Sequence, residues 1–162
     1  MRNRFLIKRK YPHFFLLIST ALCIFQPAIS LYGQTSELKI ENIKFLPIEG
    51  RLSEGTVTSI VQDYRGVMWF GTRFGLNRYN GIDFSVYEHE YDDSTSLSNS
   101  YINYLLEDSN QSLWVGTANG LNLYNRNDDS FKRFLADPKN KGSLSHSSVY
   151  TIFEDSKKNI WV

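Results

Sequence analysis

Arg73-Phe74 sets a cation beside an aromatic ring, and Arg78 follows in the same stretch. A guanidinium can fork onto a carboxylate or sulfate, and a ring can stack on a sugar face, so Arg73, Phe74 and Arg78 are the candidate ligand contacts. A second copy of the surrounding motif carries Ala118-Asn119 and Leu123 instead. Loop positions that differ between copies are where ligand recognition is expected. The other reactive side chains form no constellation. His13 falls in an apolar N-terminal stretch, and His89 and His146 stand alone, one to each long loop. No Gly-x-Ser-x-Gly elbow and no phosphate-binding glycine loop occurs. Asp92-Asp93 and Asp128-Asp129 lack the alternating ligand spacing of a calcium loop and read as solvated turns. The sequence therefore calls for no catalytic residue, no metal ligand and no cofactor.

Behind these residues lies a repeat. Leu52-Ser53, Asp63, Trp69-Phe70-Gly71-Thr72 and Gly75-Leu76-Asn77 return as Leu97-Ser98, Asp108, Trp114-Val115-Gly116-Thr117 and Gly120-Leu121-Asn122. A third start at Leu144-Ser145 passes Asp155 and reaches Trp161-Val162. The tryptophans are 45 and then 47 residues apart, the length of a four-stranded propeller blade. Residues that recur in every copy are scaffold residues first. Trp69, Trp114 and Trp161 fit a core role better than sugar stacking, because identical blades bury identical positions. Asp63, Asp108 and Asp155 fit turn capping better than acid chemistry or metal ligation, since no partner carboxylate recurs at a fixed short spacing.

Each copy parses into four short strands. The first is Val57 to Gln62, with counterparts at Ile102 to Glu107 and Val149 to Glu154. Apolar residues without strict alternation predict strands buried on both faces by adjacent blades. The second strand, about Val67 to Thr72, carries the tryptophan. Gly71 and Gly116 beside it predict a close backbone approach, and Gly75 and Gly120 turn the chain into the third strand. Phe84 to Tyr87 and Phe131 to Phe134 supply the fourth. The turn Asp63-Tyr64-Arg65-Gly66 offers a glycine for positive φ; the later copies have none, so Asn or strain must serve. Ile40 to Phe45 reads as an isolated fourth strand able to close a ring. The fold class is all-β: a β-propeller fragment of four-stranded antiparallel blades. Its parts are an export signal over 1–33, a closing strand in 34–51, repeats at 52–96 and 97–143, and an incomplete repeat at 144–162.

The first 33 residues hold five basic residues, Arg2, Arg4, Lys8, Arg9 and Lys10, and none of the 17 acidic ones, so the remainder is acidic on balance. That balance gives no support for a nucleic-acid footprint. A basic start, an apolar run from Phe14 to Phe25 and small residues after Pro27 read as a secretion signal, cut after Ser30 or Gly33. A membrane anchor is the competing reading, although the run is short of the roughly 20 residues that a bilayer needs. Cys23, the one cysteine, lies inside the apolar run, so the rest of the chain has no disulfide or thiolate metal site.

Leu-Ser, Gln-Asp or Glu-Asp, Trp-Phe-Gly-Thr or Trp-Val-Gly-Thr, and Gly-Leu-Asn-x-Tyr-Asn resemble the two-component regulator propeller repeat, over residues 38–162. The first copy matches best; the later ones lose the turn glycine, and Gly81 becomes Arg126. The resemblance implies the sensor region of a hybrid two-component histidine kinase of Bacteroidetes type: an export signal, about fourteen blades in two propellers, a β-sandwich, one membrane helix, a kinase core, a receiver and often a DNA-binding module. It implies a periplasmic location, a parent anchored in the inner membrane, a dimer in the full-length protein and glycan fragments as ligands. An oligo- or polysaccharide and the remaining blades and kinase are then the partners, and this stretch holds no catalysis. Two other readings compete: a secreted propeller that binds or cleaves glycan alone, and a gene fragment without function. As an isolated piece the chain is expected to be marginal, because its first and last sheets expose long edges.

Overall fold

The computed structural model describes residues 51–162. The export signal and the strand expected at Ile40 to Phe45 lie outside the described residues. Among the described residues ten strands form: β1 (Val57–Gln62), β2 (Met68–Thr72), β3 (Gly75–Tyr79), β4 (Phe84–Tyr87), β5 (Ile102–Glu107), β6 (Leu113–Thr117), β7 (Gly120–Asn125), β8 (Ser130–Phe134), β9 (Phe153–Glu154) and β10 (Ile160–Trp161). They make two antiparallel sheets in the order β1-β2-β3-β4 and β5-β6-β7-β8, and a pair β9-β10. The sheets are the propeller blades that the repeat length requires.

Both full blades have the same register. Val61 pairs with Trp69 and Trp69 with Arg78; Leu106 pairs with Trp114 and Trp114 with Leu123. Both first strands are also irregular at the same place, between Val57 and Ser59 and between Ile102 and Tyr104. The residue at the irregularity turns its side chain to the next repeat. Thr58 Oγ1 donates to the Ile102 carbonyl at 2.7 Å, and Asn103 Nδ2 donates to the Val149 carbonyl at 3.0 Å. A bulge re-aims a side chain in this way, and here it serves as an inter-blade hydrogen bond.

The core lies between blades rather than within one. Trp69, Leu76, Leu97, Ile102, Leu105, Leu113, Val115, Tyr124 and Phe131 form one buried cluster joining the first two sheets. A second cluster, Leu121, Val149 and Ile152 with Trp114 and Phe134 against it, joins the second sheet to the third repeat. Gly71 and Gly116 allow this contact. A Cβ on Gly71 would stand 2.7 Å from Ile102 Cγ2, and one on Gly116 would stand 2.8 Å from Val149 Cγ1.

Two expectations need correction, and a third resolves to strain rather than asparagine. In the third repeat the strand expected over Val149 to Glu154 pairs only at Phe153–Glu154, because its partner β10 supplies two residues. Burial on both faces holds for β5, where Leu105 is buried toward blade 1 and Leu106 packs toward the third repeat, but Ile60 of β1 is 56% exposed. Blade 2 lies between two neighbours, whereas among the described residues blade 1 meets a neighbour on one side. In the turns that lack glycine, neither Asn110 nor another asparagine takes the positive φ of Gly66 (82°). Gln111 and Lys158 do so, each at 66°. The position after the third turn residue must be left-handed for the aspartate to reach the amides beyond it, so these residues carry the strain.

Candidate functional site

The recurring aspartate does two jobs. Asp63 Oδ1 accepts from the backbone N–H of Arg65 (2.9 Å) and of Val67 (3.0 Å), which closes the β1–β2 turn. Its Oδ2 accepts from the Trp69 indole N–H at 3.1 Å. Asp108 repeats the pattern with Asn110, Ser112 and Trp114, and Asp155 with Lys157, Asn159 and Trp161. Burial pushes the Asp63 carboxyl up, but the Trp69 indole, Arg126 and the Val67 and Arg65 amides outweigh it and hold the group below the usual carboxylate range. At Asp155 the Asn159 side chain and the Trp161 indole lead, and the carboxyl falls to about 2.

The Leu-Ser, Gly-Thr and Leu-Asn elements meet in a second hydrogen-bonded unit. The Ser53 amide donates to Asn77 Oδ1 at 2.7 Å, the Ser53 and Thr72 hydroxyls are 2.8 Å apart, and Asn77 Nδ2 donates to Ser53 Oγ at 2.9 Å. Thr72 Oγ1 also donates to the Gly75 carbonyl, tightening the β2–β3 turn. Ser98, Thr117 and Asn122 repeat this unit. Asn77, Asn122, Thr72 and Thr117 are fully buried, and among the described residues no buried side-chain polar atom lacks a partner. All of these side chains are consumed by the scaffold. Trp69 is 1% exposed and Trp114 half-buried. Trp161 is 61% exposed, in a repeat where only β9 and β10 pair.

Antiparallel order puts the β1–β2 and β3–β4 turns at one edge of each blade, and the β2–β3 turn with the inter-blade loop at the other. Arg73-Phe74 is the β2–β3 turn. The Arg73 amide donates to Glu54 Oε2 at 3.2 Å, and its guanidinium lies 5.6 Å from the centre of the Tyr101 ring. Phe74 is 61% exposed and Tyr101 is 37% exposed. The counterparts in the next copy are Ala118, Asn119 and Ser148. Three unrepeated positions therefore converge at one edge. Tyr101 escaped notice in the sequence because its partner is supplied by another blade; its signal was the departure from Thr56 and Ser148 at the same repeat position.

Arg78 does not join them. It pairs across from Trp69, toward the opposite edge, with its guanidinium 5.8 Å from the centre of the Trp69 ring, 3.4 Å from the Tyr87 hydroxyl and 3.9 Å from Asp129. The side chain that sequence reasoning passed over there is Arg126, noted only as a lost glycine. It donates to Asp63 Oδ2 at 2.7 Å and to Glu107 Oε1 at 3.0 Å, tying blade 2 to the turn of blade 1. Asp129 works similarly, accepting from the Tyr87 hydroxyl at 2.7 Å and from the Tyr124 hydroxyl. Burial and the Asp129 carboxylate push the Tyr124 phenol up.

The two component regulator propeller model matches residues 51–74, 96–119 and 143–162, the three stretches that run from Leu-Ser to the tryptophan and beyond. These three stretches are two component regulator propeller repeats. The chain's propeller repeats are similar to the extracellular domain assigned to a hybrid two component system of B. thetaiotaomicron, with 33% identity, a TM-score of 0.65, and 73% of this chain covered against 17% of that one. A second extracellular domain from B. thetaiotaomicron, assigned to a one component system, matches at 29% identity and a TM-score of 0.56, over 72% of this chain and 15% of that one. Histidine kinase P4 of Formosa agariphila is 45% identical over 71 residues, 44% of this chain and 5% of its own. The chain thus spans a small part of each relative.

Proposed function

We propose that these repeats are part of the exported, ligand-sensing propeller of a hybrid two-component sensor, that the parent is anchored in the inner membrane, and that the ligand is an oligosaccharide. The propeller sensor region is the part of such systems that the similar structures represent, and the similar curated protein is a histidine kinase. The observation that carries the ligand reading is the convergence of Arg73, Phe74 and Tyr101, one cation and two exposed rings, at the edge where the repeat-to-repeat scaffold bonds do not use them. Exposed aromatic faces and a guanidinium suit the apolar face and polar rim of a sugar. Binding would signal by biasing the relative placement of propellers or subunits across the membrane.

Two measurements test this. The coding sequence downstream of Val162 should continue with repeats, one apolar span and a kinase-type histidine segment; a stop after one ring would refute the sensor reading. A glycan array probed with the parent's exported region should give saturable binding to an oligosaccharide. An array with no binder would remove the glycan ligand.

A further inference from the structure

The cleft between the first two blades, at the edge of the Asp63 turn, has hydrogen-bond donors to spare. It encloses about 230 Å3 and is lined by Asp63, Arg65, Trp69, Arg78, Arg126 and Asp129 among others. Of its carboxylates Asp63 is filled, while Asp129 carries both of its bonds on Oδ1 and is 56% exposed. Asp63 takes two turn amides, the Trp69 indole and Arg126, and Asp129 takes two phenols. Arg126 is likewise committed, to Asp63 and Glu107.

Arg65 and Arg78 are not. Arg65 gives its Nε–H to the Tyr64 hydroxyl at 2.7 Å and has no carboxylate within 4.0 Å among the described residues. Arg78 has one long bond to a phenol and a carboxylate 3.9 Å away. The Tyr64 ring is faced by two guanidiniums, Arg65 at 5.2 Å and Arg126 at 5.1 Å, which crowds positive charge at the mouth. Neither spare arginine is a scaffold requirement, because the second repeat has Asn110 and Leu123 at these positions.

We propose that this cleft is a binding site, separate from the Arg73 edge, for one oxyanion: the carboxylate of a uronic acid or the sulfate ester of a saccharide. Guanidinium groups only donate, so the complementary occupant is an acceptor-only group that can be forked. The volume is below the roughly 300–1,000 Å3 of drug-sized pockets, which restricts the occupant to about one sugar unit. The saccharide part of this assignment rests on the function proposed above; the anion part does not.

Calorimetry on the full chain with galacturonate, galactose 6-sulfate, galactose and inorganic sulfate decides it. At least one acidic sugar should bind about 10-fold more tightly than galactose, the advantage shrinking with added salt. Which acidic sugar binds better names the source of the anion. R65Q, on an exposed turn, should cost about 10-fold with an unchanged melting temperature, as the loss of a charge-assisted bond predicts, while K139Q, on the exposed loop that follows β8, should cost nothing. Galactose binding as well as the acidic sugars, or R65Q binding them like the native chain, would overturn the site. Arg65-dependent binding of inorganic sulfate with no saccharide bound would keep the anion site and remove the saccharide reading.

Discussion

The Trp69 indole N–H donates to Asp63 Oδ2, six residues earlier in the chain, and the same six-residue bond joins Trp114 to Asp108 and Trp161 to Asp155. One carboxylate thus closes a hairpin turn and fixes the orientation of the largest core side chain. The bond is buried at Asp63 and open at Asp155, so its worth should follow burial. Asp63→Ala is expected to destabilise by about 2–3 kcal/mol, since it strands a buried indole and the Arg126 guanidinium; Asp155→Ala, at an open turn, should cost clearly less. Urea titrations of both variants check the order, and equal losses would contradict it.

Acid should find the same carboxylate. The folded Asp63 group titrates below its ordinary value of 3.8, so its contribution is complete above that value and is lost as pH falls through the lower folded value. Asp155, at about 2, adds a loss in the window between 3.8 and about 2. The melting temperature is therefore expected to hold from pH 6 to 4 and to fall below pH 4, with a shallower fall in Asp63→Asn. A native profile that is flat down to pH 2.5 would count against this linkage.

The inter-blade approach at Gly71 gives a steric prediction. Gly71→Ala pushes a methyl to 2.7 Å from Ile102 Cγ2, and overpacking of this kind costs about 1–3 kcal/mol. Ile102→Ala removes the obstructing methyl, so the double variant should lose less than the sum of the singles. A double-mutant cycle by denaturation reads the coupling; strict additivity would mean that the blades separate without resistance.

Much of this was legible because a repeat states its requirements several times. The period fixed the blade, and the recurrence of Gly71 and Gly116 marked the close approach. The Asp63–Trp69 bond is legible too, as a constant six-residue spacing, which turn capping alone does not require. What the sequence hid were pairings between copies. Thr58 and Asn103 do the same job with different side chains, so they do not recur as a letter. Arg126 looks like a lost glycine until its partners, Asp63 from the neighbouring blade and Glu107 from its own, are seen together. Arg78 is near Arg73-Phe74 in sequence, but successive positions along a strand carry it toward the opposite edge.

Strain at the turns can be relieved. Gln111 holds φ at 66° where the first repeat has Gly66. Gln111→Gly should stabilise by about 0.5–1 kcal/mol, the left-handed cost of a non-glycine residue outweighing the added freedom of the unfolded chain. A change of opposite sign in thermal or urea unfolding would mean that the Gln111 side chain contributes more than its backbone costs.

The Arg73 edge gives the prediction closest to function. Phe74 is exposed and Arg73 rests against Tyr101, so neither side chain supports the core, and Arg73→Ala and Phe74→Ala should leave the melting temperature unchanged. If the edge contacts a sugar, Phe74→Ala removes a stacking face and Arg73→Ala a charge-assisted donor, and each should weaken oligosaccharide binding by about 10-fold. Ala118→Arg, at the matching turn of the second blade, serves as a control for added charge and should change little, because Ser148 replaces the ring on which Arg73 rests. Calorimetry with the best binder from the array reads all three. Undiminished binding in Phe74→Ala and Arg73→Ala would move the ligand away from this edge, and a gain in Ala118→Arg as large as the loss in Arg73→Ala would reduce the edge to nonspecific charge attraction.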